Sequence, residues 1–176
     1  MVIRRLLRCR KGSVAIETAF VIPVLITMFL GMIELTMFIE ATRKAVSATQ
    51  TVADLVAQEA THDDESLADI RAAADIILNP LPTDSNTLQI TIASVGFDQS
   101  GNTRILWQDK SAGGAAINPA VGNGLGSPNE SVVVVLMTYT YSSPFDFIFE
   151  SKNLAEEAFA RPRVARRIAL NGSVEH

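Results

Sequence analysis

One uncharged stretch near the N-terminus constrains this chain more than any other feature. Residues 18–33 carry no charged side chain and lack the polar face that a surface helix of a soluble domain shows. Together with residues 35–39, the stretch is long enough to cross a hydrocarbon core of about 30 Å at about 1.5 Å per helical residue. The sequence therefore predicts one transmembrane helix, over residues 13–40, with the lipid bilayer as a partner.

A basic leader, residues 1–12, precedes this helix. Five basic residues and no acidic residue come before Glu17, and the positive-inside rule keeps such a segment cytoplasmic. Residues 41–176 then form an extracytoplasmic domain, either periplasmic or extracellular. Without the five positive charges the net charge falls from −4 to about −9. Such a surface is poorly suited to nucleic acid, whose affinity depends on phosphate neutralisation.

Polar and helix-bending residues inside the span need a physical explanation. Pro23 is expected to kink the helix, and Glu34 is expected to reach toward the far interface. Glu17 is costly unless it lies at headgroup level or has a cationic partner. A helix N-terminus also favours such a charge through its dipole, and both explanations of Glu17 remain open. The positions of interest in the span are Ala19, Pro23, Leu30, Gly31 and Glu34.

The residues around Gly12 resemble the processing site of type IV prepilins. In that family a basic leader ends in glycine, a membrane-embedded aspartic peptidase cuts after it, and glutamate is the fifth mature residue. With Ser13 as the first mature residue, Glu17 is the fifth. The longer pattern, with Pro23 six residues beyond Glu17 and a Gly-x-x-Glu ending at Glu34, is similar to the TadE/TadG-like pseudopilins of tight-adherence (Flp) pilus systems.

The resemblance implies a single-pass protein of the bacterial inner membrane. Its implied partners are prepilin peptidase, other pilin or pseudopilin subunits, and the Tad secretion machinery. Ser13 replaces the usual aromatic first residue, and the chain is large, which together imply a minor or assembly component. In such an assembly the new amine of Ser13 would pair with Glu17 of a neighbouring subunit. The alternative is an uncleaved TadG-like anchored binding domain that keeps its leader.

An ordinary secretory signal peptide is the main competing interpretation of the N-terminus. Its apolar region normally spans about 7–15 residues, and the stretch here is longer. Only Ala45-Val-Ser47 offers a weak cleavage site for a signal peptidase. The length therefore favours a retained anchor.

A helical stripe continues past the span. Ala41, Ala45, Ala48, Val52 and Leu55 recur at spacings of four and three. The stripe is expected to pack on the chain's own sheet, with contact to a partner helix as the alternative.

The rest of the domain is predicted to be α+β and pilin-like. Thr61 or Asp63 can cap a second helix that ends at Asn79 and Pro80. Alternation at Leu88, Ile90 and Ile92 predicts a half-buried strand. The other predicted strands are 103–108, which carries Trp107, and 132–141. Residues 155–169 are expected to form a last strand, with a helix as the alternative. The strands are expected to form a roughly four-stranded antiparallel sheet, alongside the long N-terminal helix and the second helix. The length of the loop at 111–130 indicates a binding or packing role.

The sequence offers no catalytic, cofactor-binding or metal site. His62 lies beside Asp63, Asp64 and Glu65, but no turn glycine accompanies them, so these charges fit a helix start. Three alternating phenylalanines are expected to close the core, with contact to the membrane surface or a partner as the alternative. Four arginines around Pro162 are expected to protect an edge strand against further pairing, with binding of anionic headgroups or an acidic partner as the alternative. These residues are Phe145, Phe147 and Phe149, and Arg161, Arg163, Arg166 and Arg167.

Overall fold

A computed structural model describes residues 10–145 and 150–175, with side chains from Val14 onward. It begins with one long helix, α1 (Arg10–Gln58), of 49 residues. At about 1.5 Å per residue this helix is about 73 Å long, more than twice the thickness of a hydrocarbon core. Its helical assignment continues without interruption through Pro23. The helix continues past residue 40, as the stripe predicts.

The predicted antiparallel sheet of four strands is present, and the α+β fold is confirmed. Its strands lie in the order β3-β2-β4-β5. Neighbouring strands are antiparallel throughout, and Ile92 of β2 faces Val135 of β4 in the centre. The strands are β2 (Leu88–Phe97), β3 (Thr103–Lys110), β4 (Ser131–Tyr141) and β5 (Lys152–Ala160).

The second helix, α2 (Asp64–Leu78), begins where the sequence predicts. Asp63 is its N-cap, and the Asp63 carboxylate accepts a hydrogen bond of 2.8 Å from the Ser66 N–H. This bond satisfies one of the backbone donors left free at a helix start. One face of α2 is apolar: Leu67, Ala74 and Leu78 are buried, and Ile70 and Ile77 pack beside them.

A two-stranded parallel sheet escapes sequence analysis. It pairs β1 (Thr61–His62) with β6 (Ala169–Leu170) and joins the start of α2 to the C-terminal segment. Strands of two residues are too short to show a period in the sequence. Thr61 therefore belongs to a strand and Asp63 alone is the cap.

The main core lies between the two helices and one face of the sheet. Its largest members include Trp107, Tyr139 and Met137 from the sheet and Leu67 and Val56 from the helices. The Trp107 indole N–H donates a 2.7 Å hydrogen bond to the Ile168 carbonyl, which satisfies its polar atom inside the core.

The long loop at 111–130 covers the opposite face of the sheet. Ile117 is buried there, and Val121 and Leu125 pack against Phe97 and Val134. The packing role expected of this loop is therefore found. The half-buried character expected for β2 is wrong, because helices cover one face of the strand and this loop covers the other.

The C-terminal segment differs from its sequence prediction. Strand β5 ends at Ala160, so Pro162 and the four arginines follow the strand and do not line an edge. The Arg163 N–H donates to the Ala57 carbonyl at 2.9 Å, and its guanidinium reaches Asp54 at 3.0 Å. The chain therefore turns back onto the end of α1 after the proline.

The expectation that the phenylalanines close the core is wrong for Phe145. Its side chain is 50 % exposed, in the loop that packs beside Glu34 of α1. Phe147 and Phe149 lie outside the described residues.

Candidate membrane and assembly helix

The helix α1 changes character along its length. Every residue from 14 to 29, here called the bare segment, is exposed. Their apolar side chains point in all directions, with Phe20 at 76 % and Met28 at 65 % exposure. From Ala41 to Ala57, here called the domain segment, one face is buried against the sheet and α2. The bare segment therefore presents a large apolar surface that no described part of the chain covers.

The threonine hydroxyls in the apolar part of α1 are satisfied within the helix. The hydroxyls of Thr18, Thr27 and Thr36 each donate a 2.8 Å hydrogen bond to the carbonyl four residues earlier. A lipid environment requires this, because hydrocarbon offers no partner to a free hydroxyl. These three threonines are therefore compatible with a transmembrane position.

Pro23 leaves one backbone carbonyl without its regular donor. A proline has no N–H, so the Ala19 carbonyl loses the bond it would receive from position 23. The Thr27 hydroxyl bonds to the Pro23 carbonyl and does not reach Ala19. Membrane helices tolerate such a site when neighbouring helices or local adjustments satisfy the group.

Glu17 lies in the bare segment and is exposed. Gly12 and Ser13 belong to the same helix, and the Ser13 side chain is outside the described set. Ser13 and Glu17 are four positions apart, which is about 6 Å along the axis. In this chain the Glu17 carboxylate therefore faces outward, where a neighbouring molecule could approach it.

Glu34 departs from its predicted position. It was expected to reach toward the interface, but its side chain is 0 % exposed. The Ser143 hydroxyl donates a hydrogen bond to its carboxylate, and the same hydroxyl accepts one from the Phe145 N–H at 3.3 Å. Burial follows from the loop after β4, which folds over this side of α1. Gly31, one turn earlier, is buried as well, whereas Leu30 keeps partial exposure.

Aromatic packing continues this junction between helix and loop. The rings of Phe38 and Tyr141 meet edge to face, with centroids 5.5 Å apart. Burial raises the pKa of the Tyr141 phenol, and the nearby Glu34 carboxylate raises it further. The junction is therefore a buried contact in which the side chains of Glu34 and Ser143 are turned inward.

Ser143 had no detectable signal in the sequence. It lies 109 residues from Glu34, in a loop without periodicity. A carboxylate in an apolar helix needs a hydrogen-bond donor, and this need is the one signal that could have indicated a partner for Glu34. The same need for a donor applies to Glu17, so it does not identify Ser143 as the partner of Glu34.

The polar cluster at the start of α2 is structural. His62 is buried, with Nδ1 2.9 Å from the Ser66 hydroxyl and Nε2 2.9 Å from the Val56 carbonyl oxygen. Within residues 10–145 and 150–175, no three His, Cys, Asp or Glu side chains are grouped to hold a metal ion. The cluster thus fastens α2 to the end of α1.

Among the described residues, α1 is the one helix long and apolar enough to cross a membrane. Residues 12–54 match the family of TadE-like proteins, so the resemblance seen in the sequence is confirmed over this region. The match contains the whole bare segment and most of the domain segment. Comparison with curated proteins and with solved structures gave no match.

Proposed function

We propose, on the basis of the TadE-like region at residues 12–54, that this protein is a minor pseudopilin or assembly component of a tight-adherence (Flp) type IV pilus. The bare segment carries the proposal, because its exposed apolar surface requires lipid or other helices. We assign residues 1–12 to a leader, 13–40 to the membrane helix, and 41–176 to an extracytoplasmic domain of the bacterial inner membrane. We assign no catalysis to that domain.

Subunit contact is the proposed mode of action. Prepilin peptidase cuts after Gly12 and frees the amine of Ser13. That amine pairs with the exposed Glu17 of a neighbouring pilin or pseudopilin inside the bilayer. The pairing offsets part of the cost of placing each charge in hydrocarbon. The Tad machinery then recruits the subunit through this helix.

A second candidate is an uncleaved TadG-like anchored domain that binds another molecule. One observation favours it: the alanine stripe of the domain segment is already buried against the chain's own sheet, so the domain is complete without a neighbour. In that case the leader stays in place, and the helix serves only as an anchor.

The mature N-terminus separates the two candidates. Mass spectrometry of the protein purified from membranes is expected to find Ser13 as the first residue. An intact leader would instead support the anchored domain. Gly12→Ala is expected to leave the unprocessed form, while the matched variant Val14→Ala is processed normally. Normal processing of Gly12→Ala would show that the cleavage site is wrong.

A further inference from the structure

We propose that the edge of the domain formed by residues 142–145 sits in the outer interfacial layer of the bilayer and contacts lipid. This membrane-proximal edge packs on residues 31–38 of α1, through Ser143 to Glu34 and Tyr141 to Phe38. The inference rests on the proposed membrane anchor. It adds a second lipid contact, made by the folded domain itself.

The length of the apolar helix before the domain carries the first step. The proposed membrane helix begins at Ser13, and from there to Phe29, the last residue of the bare segment, are 17 residues, or about 26 Å. That length is less than the roughly 30 Å of a hydrocarbon core. The remaining distance must come from the next turns of α1, beginning near Gly31. Those turns are also the first ones that the domain covers. Part of the domain therefore lies at the depth of the outer leaflet.

The side of α1 opposite the loop supports this depth. Met32 is 68 % exposed, Leu35 is 47 % exposed and Ile39 is 43 % exposed. The first charged side chain exposed beyond them is Glu40, whose side chain is 64 % exposed. From Val14 to Ile39 the helix is about 39 Å long. The apolar surface thus continues past the place where the domain begins to pack.

The loop at 142–145 covers Glu34, the one carboxylate among residues 30–39 of α1. A charge facing lipid here would be costly, and the burial of Glu34 beneath Ser143 removes it from contact with lipid. The outward side of the same loop presents Pro144 and the 50 % exposed Phe145 beside the small polar side chain of Ser142. The loop therefore turns Ser143 to the helix and an aromatic ring outward, which suits the interfacial layer, where aromatic and small polar groups are both accommodated.

An apolar groove continues the same surface. It has a volume of about 230 Å³, and its walls include Met37, Pro80, Leu81 and Tyr141. Lys44 lies at its rim, with its ammonium 3.6 Å from Glu40 and in contact with the Asn79 carbonyl. A long basic side chain above an apolar wall suits the boundary between acyl chains and phosphates.

The test uses single-cysteine variants of the full chain in lipid vesicles. The sole cysteine is removed by Cys9→Ser, and an environment-sensitive fluorophore is attached at Thr27→Cys, Phe145→Cys or Val164→Cys. Thr27 is exposed in the bare segment, and Val164 is 71 % exposed at the far end of the domain. Emission wavelength and quenching by lipid-borne quenchers are measured, and Trp107 fluorescence checks folding.

We expect blue-shifted, lipid-quenched emission at positions 27 and 145, and water-like emission at 164. Lipid quenching at 27 with water-like emission at 145 would overturn the seated edge while leaving the anchor intact. Water-like emission at both 27 and 145 would overturn the anchor and the seated edge together.

Discussion

The bare segment and the domain segment belong to one continuous helix but require different surroundings. The bare segment exposes apolar side chains on all sides, whereas the domain segment buries a single face. Ala41, Ala45 and Ala48 are completely buried on that face. Helix formation alone does not determine whether a helix packs on its own domain or contacts lipid or another helix. The distribution of apolar residues around the helix axis determines it.

Small side chains explain why the second half can join the domain. Alanine lets the helix axis approach the sheet closely, and the Thr49 hydroxyl beside the stripe is satisfied by the Ala45 carbonyl at 2.7 Å. The folded domain therefore depends on the domain segment and not on the bare segment. Substitutions in the two halves should accordingly have different consequences.

The largest difference is expected from a charge placed in the domain segment. Val52→Asp would bury a carboxylate at a position that is 0 % exposed. An unpaired buried charge costs several kcal/mol, against a total stability of about 5–15 kcal/mol for an ordinary domain. Thermal unfolding in detergent, followed by Trp107 fluorescence, should show loss of the cooperative transition. A transition at the wild-type temperature would contradict the assigned burial.

The same charge in the bare segment should leave the domain folded. Leu25→Asp, at a side chain that is 57 % exposed, is expected to weaken membrane insertion by about 3 kcal/mol. Extraction from membranes by alkaline carbonate measures the loss, and the unfolding temperature of the domain serves as the control. A lowered unfolding temperature with normal membrane retention would reverse the roles of the two halves.

A smaller contrast comes from enlarging alanines. Ala48→Leu overfills the contact between α1 and the sheet and should cost about 1–3 kcal/mol of folding stability. Ala19→Leu makes the same change at an exposed position and should leave domain stability unaltered. Urea titration of both variants gives the comparison. Equal losses would mean that the alanine stripe has no special packing role.

The smallest effect concerns the far end of the domain, in the turn between β2 and β3. Hydrogen bonds from the side chain and backbone of Asn102 hold the pKa of Asp98 below its usual value. A carboxyl whose pKa is lower in the folded state than in the unfolded state stabilises the fold at pH values above its unfolded-state pKa. That stabilisation is lost as the pH falls through the folded-state pKa. Hydrogen exchange below about pH 4 should show the hairpin loosening.

The matched variants sharpen this last prediction. Asp98→Asn should make the hairpin less sensitive to acid, whereas Gln99→Ala, in the same turn, should keep the wild-type profile. Identical acid profiles for Asp98→Asn and wild type would remove Asp98 from the account.

Sequence patterns predicted the elements of this fold that have a local signature in the sequence. The apolar run is recognised by its length and its lack of charge, the alanine stripe and the alternation around Ile90 follow regular periods, and Asp63 carries a recognisable cap signal. Long-range contacts between irregular segments have no such signature. Ser143 over Glu34 and Ile117 over the sheet therefore appear only in the structure. Pro162 was recognised as an interruption, but the sequence did not show that β5 ends before it, at Ala160.

The central claim is that the bare segment acts through contact with other subunits, with Glu17 as its charged group. The most direct measurement is incorporation of the Glu17→Ala protein into purified pili or its co-purification with other pilin subunits. Ile16→Ala, at the neighbouring exposed position, is the matched control. The account predicts that Glu17→Ala folds and is processed to Ser13 yet fails to assemble, while Ile16→Ala assembles. Normal assembly of a correctly processed Glu17→Ala protein would contradict it.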